Sequence, residues 1–198
     1  MNMIFLLGTP YPSHLTDALR ARCGRIHPLE VKIEKEPGFK VLGVVGRGSD
    51  GPSFIPLLWE RLNKKEVDIW HLFKSTAEGY GVMDNYDPET KELDYLAGHE
   101  AERETEAPEG MVTWDVPEQT YAMIRCTIET IMDAYRYLTE WCSDKGYFRK
   151  KGPEFEFYPD GWLETDPIYM HFPIERTSLT PAPLVFFIIN LIMAPAIP

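Results

Sequence analysis

The stretch Glu154-Phe155-Glu156-Phe157-Tyr158 sets carboxylates beside aromatic rings. Successive side chains of a β-strand point to opposite faces, so the two phenylalanines share one face, while the glutamates and the tyrosine share the other. A carboxylate among rings in a half-closed groove suits a cationic or polarised ligand, because the ligand's charge offsets the lost hydration and the rings attract cations. On a fully solvated sheet face the same pattern would have no chemical meaning.

The phase of this strand decides which side chains face the groove. We expect Phe155 and Phe157 to pack under helices, which directs Glu156 and Tyr158 into the groove. Glu154, at the start of the strand, is expected to be a solvated edge residue. The strand therefore contributes one functional carboxylate.

The last predicted strand supports this phase. Tyr169 and His171 alternate there with an apolar set, so they would face the groove beside Glu156 and Tyr158. Two neighbouring strands would thus offer one carboxylate, two phenols and one imidazole to a single space. The apolar set consists of Ile168, Met170, Phe172 and Ile174.

Two aromatic residues of the first half complete the candidate site. Tyr80 lies on the strand that corresponds to that of Glu156 and would wall the opposite side. Trp59, on the first helix, is either a core residue or a wall of the pocket, and His171 lies either at the surface or groove edge or in contact with the ligand. The candidate ligand-binding residues are Glu156, Tyr158, Tyr80, Trp59, Tyr169 and His171.

The elements that position these residues occur twice along the chain. Each half has two strands, a helix and two more strands. Phe39 and Tyr121 are 82 residues apart, and so are Trp59 and Trp141, each near the end of its helix. The same offset in a strand and in a helix indicates a duplicated β-β-α-β-β unit. We therefore predict an α+β fold in which two modules, related by a pseudo-twofold axis, have antiparallel sheets, helices outside and a central ligand groove.

Both predicted helices carry one apolar stripe. Thr127 is the expected N-cap of the second helix and Ser53 that of the first, which leaves Pro56 in the first turn, where a missing N–H is tolerated. The stripes consist of Phe54, Ile55, Leu58 and Leu62 in the first helix and Ile131, Ala134, Tyr135, Leu138 and Cys142 in the second.

Composition limits the classes of partner. A chain of 198 residues with 44% hydrophobic residues can bury one sizeable core or two small ones. The 20 Lys and Arg against 31 Asp and Glu give a net charge of -11, which opposes phosphate binding, so we expect no direct nucleic-acid binding. The acidic run at residues 100–109 is expected to be a solvated strand end and loop.

Cysteine and histidine spacing indicates neither a disulfide framework nor a metal site. Cys23, Cys126 and Cys142 are odd in number and lack a C-x-x-C pair, and the five histidines lack an H-E-x-x-H pattern. A reducing cytoplasm fits best. We expect no cofactor and no metal.

Both ends of the chain differ from its middle. Residues 1–28 are expected to be an N-terminal appendage, and its opening M-N-M-I-F-L-L-G is too short and uncharged for a signal sequence. Residues 177–198 are an apolar tail, and its apolar run at 184–193 is too short to span a membrane. We expect this tail to lie at a membrane interface, to bind a partner or to be poorly ordered. The domain at 29–176 divides into repeat one (29–105) and repeat two (110–176).

An ordered set of short strings runs through this domain. The first half contains P-G-F-K-V-L-G-V as an opening hairpin, then L-W-E-R-L, Y-G-V and Y-L-A-G-H-E. The second half contains A-Y-R-Y-L-T-E-W and then S-D-K-G-Y-F-R-K-K-G-P-E-F-E-F-Y. The set resembles the GyrI-like (gyrase-inhibitor-like) effector-binding domain, also found with AraC-type regulators, over about residues 29–176.

This resemblance implies a duplicated module with a central groove for small, often cationic or hydrophobic molecules. The family includes effector domains of AraC-type and MerR-type transcription regulators, stand-alone binding proteins and a branch that hydrolyses reactive cyclopropane-bearing compounds. Its acidic pocket residue corresponds to Glu156. Residues 1–28 are too few for an AraC-type pair of helix-turn-helix motifs, so we expect a stand-alone form.

The main prediction is a stand-alone effector-binding or sequestering protein for small cationic or amphipathic molecules. A first alternative is a hydrolase with Glu156 as general base and Tyr158 or His171 as proton donor, although the sequence has no nucleophile elbow or phosphate loop. A second alternative is an acidic inhibitor of a protein partner, acting through the run at 100–109.

Overall fold

The computed structural model describes residues 30–176, so the expectations for residues 1–28 and 177–198 lie outside the described part of the chain. The described elements follow the predicted order of two β-β-α-β-β units. The first unit has β1 (Val31–Glu36), β2 (Phe39–Gly48), α1 (Gly51–Ile69), β3 (Gly79–Asp84) and β4 (Leu93–Ala101). The second has β5 (Val112–Val116), β6 (Gln119–Cys126), α2 (Ile131–Asp144), β7 (Tyr147–Arg149), β8 (Glu154–Tyr158) and β9 (Ile168–Arg176).

The described strands form one antiparallel sheet in the order β1-β6-β9-β8-β3-β4-β2-β5, and the short strand β7, which was not predicted, pairs with β9. The two halves meet at the centre, where β3 pairs with β8. The predicted α+β class, the duplicated module and the antiparallel pairing are confirmed.

The predicted opening hairpin is wrong, because β1 pairs with β6 and β2 pairs with β5. Glu36 lies opposite Gln119 and Phe39 opposite Val116, so one antiparallel register continues through Pro37-Gly38. A tight two-residue hairpin needs a positive φ, and Gly38 is not among the residues with one. The chain therefore stays extended, and each half lends its first strand to the other.

The helices pack on the sheet through their predicted stripes. Leu58 and Leu62 of α1 are buried, as are Leu138 and Cys142 of α2. The cap predicted for α2 at Thr127 is displaced by three residues: Thr127 caps a 3-10 turn at Ile128–Thr130, and the N-cap position of α2 itself is Thr130.

The cap expected at Ser53 is wrong, because α1 begins three residues earlier than this cap implies, at Gly51. Its N-cap position is Asp50, whose carboxylate accepts a 2.7 Å hydrogen bond from the Ser53 hydroxyl. Pro52 stands in the first turn, where no helical N–H is required.

Each face of the sheet has its own core, and the phase expected for β8 is wrong. On the helix-bearing face, Met170 packs with α2. Glu156 lies opposite Met170 and shares that face, whereas Phe155 packs on the helix-free face with Val82 and Tyr121.

The acidic run is exposed along most of its length after β4 ends at Ala101, as expected for a solvated strand end and loop. Within residues 30–176, no helix is long and apolar enough to cross a membrane.

Packing of α1 on the sheet can be tested by comparing two truncations on that helix. Leu62 is fully buried, so Leu62→Ala should lower the free energy of unfolding by about 2–5 kcal/mol. Val67 is 78% exposed, so Val67→Ala should change it by no more than about 0.5 kcal/mol. Urea denaturation measures both, and similar losses would contradict the described orientation of α1.

Candidate ligand-binding site

Glu156 is a buried carboxylate near the middle of the sheet. It lies on β8 between Gly81 of β3 and Met170 of β9, and only 5% of it is exposed. The Tyr95 and Tyr158 hydroxyls donate hydrogen bonds of 2.8 and 2.7 Å to the same oxygen, Oε2. Among the described residues, none donates a hydrogen bond to Oε1.

Gly81 provides the space in which these groups meet. A Cβ atom at Gly81 would lie 1.9 Å from the Tyr95 hydroxyl oxygen and 2.8 Å from Glu156 Oε2. Real Cβ atoms do not approach other atoms so closely. The glycine is therefore needed for the hydrogen bond between Tyr95 and Glu156.

Burial governs the protonation of this cluster. It raises the pKa of Glu156, and the hydrogen bonds donated by Tyr158 and Tyr95 offset part of that rise. Burial and the charge of Glu156 raise the pKa values of both tyrosines well above their usual range, so their hydroxyls remain donors. A cation near Glu156 would favour its ionised form and release a proton.

Trp59 of α1 lies against this cluster. Its ring is 5.1 Å from that of Tyr158, which also contacts Trp162 at 4.9 Å. A Cβ atom at Gly79 would lie 3.0 Å from the indole, so that glycine makes room for it. Trp59 packs against the buried residues below both helices and is half-buried. It is thus part of the core, beside the tyrosine that donates a hydrogen bond to Glu156.

The six predicted residues do not share one space, which corrects the single groove expected from the sequence. Glu156, Tyr158 and Trp59 lie on the helix-bearing face. Tyr80 and Tyr169 lie on the other face, on either side of Phe157, whose ring is 5.3 and 6.3 Å from theirs. Their contact with a ligand stays a prediction.

His171 also lies on the helix-free face, and the surface or groove-edge position expected for it is wrong. Only 6% of it is exposed, and its ring stacks on Phe155 at 4.1 Å. Burial lowers the pKa of His171 to about 4, which keeps the imidazole neutral. It is separated by the sheet from Glu156, so it is not placed to donate a proton beside that residue.

Glu154 is not the solvated edge residue that was expected. It forms an ion pair with Arg149 and accepts a 3.3 Å hydrogen bond from the Tyr135 hydroxyl. The Arg149 guanidinium lies 4.2 Å above the ring of Phe172. Glu154 therefore helps to fix α2, β7 and β8 together.

Tyr95 and Gly81 were missed by sequence reasoning. The strand L-D-Y-L-A-G-H-E alternates so that Tyr95 and Ala97 share the face that packs on α1, but no motif marks the tyrosine. The useful signal would have been a buried tyrosine hydroxyl, which needs a hydrogen-bond partner on a neighbouring strand.

Among residues 30–176, no group of three or more His, Cys, Asp or Glu side chains is arranged to hold a metal ion.

Comparison with known proteins identifies the family. The model of the Cass2 family, described as "Integron-associated effector binding protein", matches residues 32–174. The chain belongs to this family. The transcriptional regulator BrlR of Pseudomonas aeruginosa is 31% identical over 138 residues, which are 68% of this chain and 50% of BrlR. The chain thus spans half the length of this curated relative.

Solved structures support the same fold. SAV2435, in a structure bound to tetraphenylphosphonium, has a TM-score of 0.58 and 13% identity, covering 74% of this chain and 94% of that one. The integron cassette protein of Vibrio cholerae has a TM-score of 0.53 and 17% identity, covering 74% of this chain and 97% of that one. At these identities the similarity shows the fold.

The close approach at Gly81 predicts a strong effect of one methyl group. Gly81→Ala should lower the free energy of unfolding by about 1–3 kcal/mol, because the new Cβ atom displaces the Tyr95 hydroxyl. Combined with Tyr95→Phe, which removes that hydroxyl, it should cost less than the sum of the two single changes. Urea denaturation of the four proteins measures the coupling, and simple additivity would contradict the described contact.

The raised pKa of Glu156 predicts a pH dependence of stability. Above the ordinary carboxyl pKa of 4.5, the folded protein retains a proton that the unfolded chain loses, so stability falls as the pH rises towards the folded-state pKa. Glu156→Gln removes this contribution. Its free energy of unfolding should therefore increase relative to wild type as the pH is raised, and parallel pH profiles in urea denaturation would contradict the assignment.

Proposed function

We propose that the protein binds small cationic or amphipathic molecules on the helix-bearing face, between α1 and α2, with Glu156 as the residue that selects positive charge. The observation that carries this proposal is a buried carboxylate whose Oε2 is held by two phenol donors while Oε1 accepts no hydrogen bond from the described residues. The rings of Tyr158 and Trp59 supply apolar contact next to it.

Charge compensation explains why a cation would be favoured. Loss of hydration on burial disfavours the ionised form of the Glu156 carboxylate. The hydrogen bonds from the two tyrosines offset only part of this loss of hydration free energy. A ligand cation would supply the missing opposite charge, and each ring it contacts would add on the order of 0.5–2 kcal/mol. SAV2435, which has this fold, has been solved with the cation tetraphenylphosphonium.

Ligand entry requires a rearrangement, because Glu156 is 5% exposed and Trp59 lies above the cluster. The indole is half-buried and belongs to a helix, so it can turn aside without breaking a strand pairing. Displacement of Trp59 would open the space above Tyr158 and Glu156. A small molecule would then replace the ring contacts that the indole leaves.

The proposal is tested with ions matched in shape and opposite in charge. Tetraphenylphosphonium should raise the melting temperature of the full chain, whereas tetraphenylborate should not. Glu156→Gln should weaken the phosphonium by at least about tenfold, equivalent to about 1.4 kcal/mol, and leave neutral triphenylphosphine oxide nearly unchanged. Calorimetry gives the affinities, and binding of the cation should strengthen as the pH rises through the pKa of Glu156.

If Glu156→Gln reduced the affinity for the cation and for the neutral probe equally, or reduced neither affinity, this role for Glu156 would be contradicted. Trp59→Ala is the companion variant, and it should alter the affinity for both probes because the indole ring contacts both.

The hydrolytic alternative is tested on any reactive compound that binds. Recovery of a product heavier by one water, seen by mass spectrometry and lost in Glu156→Gln, would favour it over binding alone.

A further inference from the structure

The helix-free side of the sheet carries a group of partly exposed rings, which we call the aromatic face: Phe39, Tyr80, Phe157 and Tyr169. The rings form a continuous row, with centroids 5.0 Å apart between Phe39 and Tyr80 and 5.3 and 6.3 Å apart along the rest of the row. All four side chains are half-buried. No helix of the described chain packs against them, so part of each ring is open to an occupant.

Three carboxylates border the Tyr80 end of the aromatic face. Glu78 is two residues before Tyr80, and Glu100 is two residues after Gly98, the cross-strand partner of Tyr80. Burial and the charges of Glu100, Glu78 and Glu36 raise the pKa of the Tyr80 hydroxyl. Negative charge therefore surrounds the outer end of this ring.

This negative charge is only partly balanced. Lys74 lies 2.7 Å from Glu100, while Glu36 and Glu78 form no ion pair with any residue of the described chain. Burial and the charge of Glu34 raise the pKa of Glu36. Unpaired carboxylates beside half-open rings suit the arginine guanidinium, which stacks on aromatic faces and pairs with carboxylates.

The chain contains a segment with this chemistry. Residues 20–25, R-A-R-C-G-R, carry three arginines, and Asp17 is the sole acidic residue among the first 29. Arg25 is five residues before Glu30, where the described structure begins, and Arg20 is ten residues before it. At about 3.6 Å per residue, they can reach about 18 and about 36 Å from that point. Residues 26–30 connect this segment to β1, which itself carries Glu34 and Glu36.

We propose that residues 20–25, the arginine segment, dock on the aromatic face of their own chain. The guanidinium groups pair with Glu36 and Glu78 and stack on Tyr80 and Phe157. Docking neutralises the two unpaired carboxylates and covers the open rings. It gives Tyr80 a role other than contact with the small molecule proposed for the opposite face, so the two assignments can fail separately.

The cysteine pattern allows a direct test in the full chain. Cys23 lies within the arginine segment, whereas Cys126 and Cys142 are 3% and 2% exposed. Burial also raises the pKa of Cys142 to about 11, which makes it a poor nucleophile. A nitroxide maleimide should therefore label Cys23 selectively. Mass spectrometry of peptides confirms the site of labelling before measurement.

The measurement is paramagnetic broadening of backbone amide signals in the labelled full chain. Signals of Tyr80 and Phe157 should lose at least about half of their intensity relative to the reduced label, while that of Val67, on α1, should be retained. Salt at 1 M should restore the lost intensity, because it screens exposed charge pairs. Unchanged intensities on the aromatic face, or equal broadening on α1, would overturn the proposal.

Two variants with the same change in net charge provide the control. Glu36→Gln with Glu78→Gln should restore most of the intensity at Tyr80, whereas Glu104→Gln with Glu106→Gln, in the exposed acidic loop, should not. Equal effects of the two pairs would overturn the proposal. A further sample separates docking within one chain from docking on a second copy. It mixes nitroxide-labelled protein at natural isotope abundance with isotope-labelled Cys23→Ser protein, which carries no nitroxide. Broadening of the aromatic-face signals in this mixture as strong as in the labelled chain itself would show that a second copy is the occupant, and it would overturn the proposal.

Discussion

The antiparallel pairing between the two halves of the chain is the constraint on which the candidate site depends. At the centre of the sheet, β3 of the first half pairs with β8 of the second, which places Gly81 opposite Glu156. Tyr95 and Trp59 also come from the first half, whereas Tyr158 comes from the second. The carboxylate cluster therefore exists only when the halves are joined in this register. A slip of one residue would move Glu156 to the helix-free face.

Both faces of the sheet hold carboxylates and rings, but in different electrostatic settings. On the helix-bearing face, one carboxylate is almost fully removed from water and is held by phenols. On the helix-free face, several carboxylates remain near solvent and border half-open rings. A buried charge responds strongly to a compensating ion, whereas exposed charges respond to salt and to flexible cationic chains. The sheet thereby separates two electrostatic environments of similar composition.

Much of the fold could be predicted from sequence because its signals are local or repeated. The shared offset of Trp59 and Trp141 indicated the duplication, and the helix stripes predicted the buried positions of Leu62 and Leu138. The phase of β8 could not be predicted, because alternation fixes which residues share a face but not which face carries the helices. Here both faces are apolar, so Phe155 had a suitable environment on either side.

Local sequence patterns could not predict the exchange of first strands or the part that Tyr95 plays in the candidate site, for a related reason. Pro37-Gly38 is typical of a turn, and only the pairing of Glu36 with Gln119 shows that the chain runs straight on. Tyr95 contributes to the site through a hydrogen bond to a residue far along the chain. Contacts of this kind depend on the strand order, which a single sequence does not encode in any short motif.

The exchange of first strands has a consequence for how such a chain arises. One β-β-α-β-β unit on its own would leave its first strand and one edge of its second strand unpaired, since those partners belong to the other unit, while the second strand keeps its pairing with β4. In a closed twofold dimer of one such unit, the first strand of each copy would pair with the second strand of the other copy. Both pairings would have the same register. Gene fusion of such a dimer would preserve every strand pairing while freeing the two copies to diverge. The single carboxylate at position 156, opposite a glycine at position 81, is the asymmetry that a fused pair can hold and a symmetric dimer cannot.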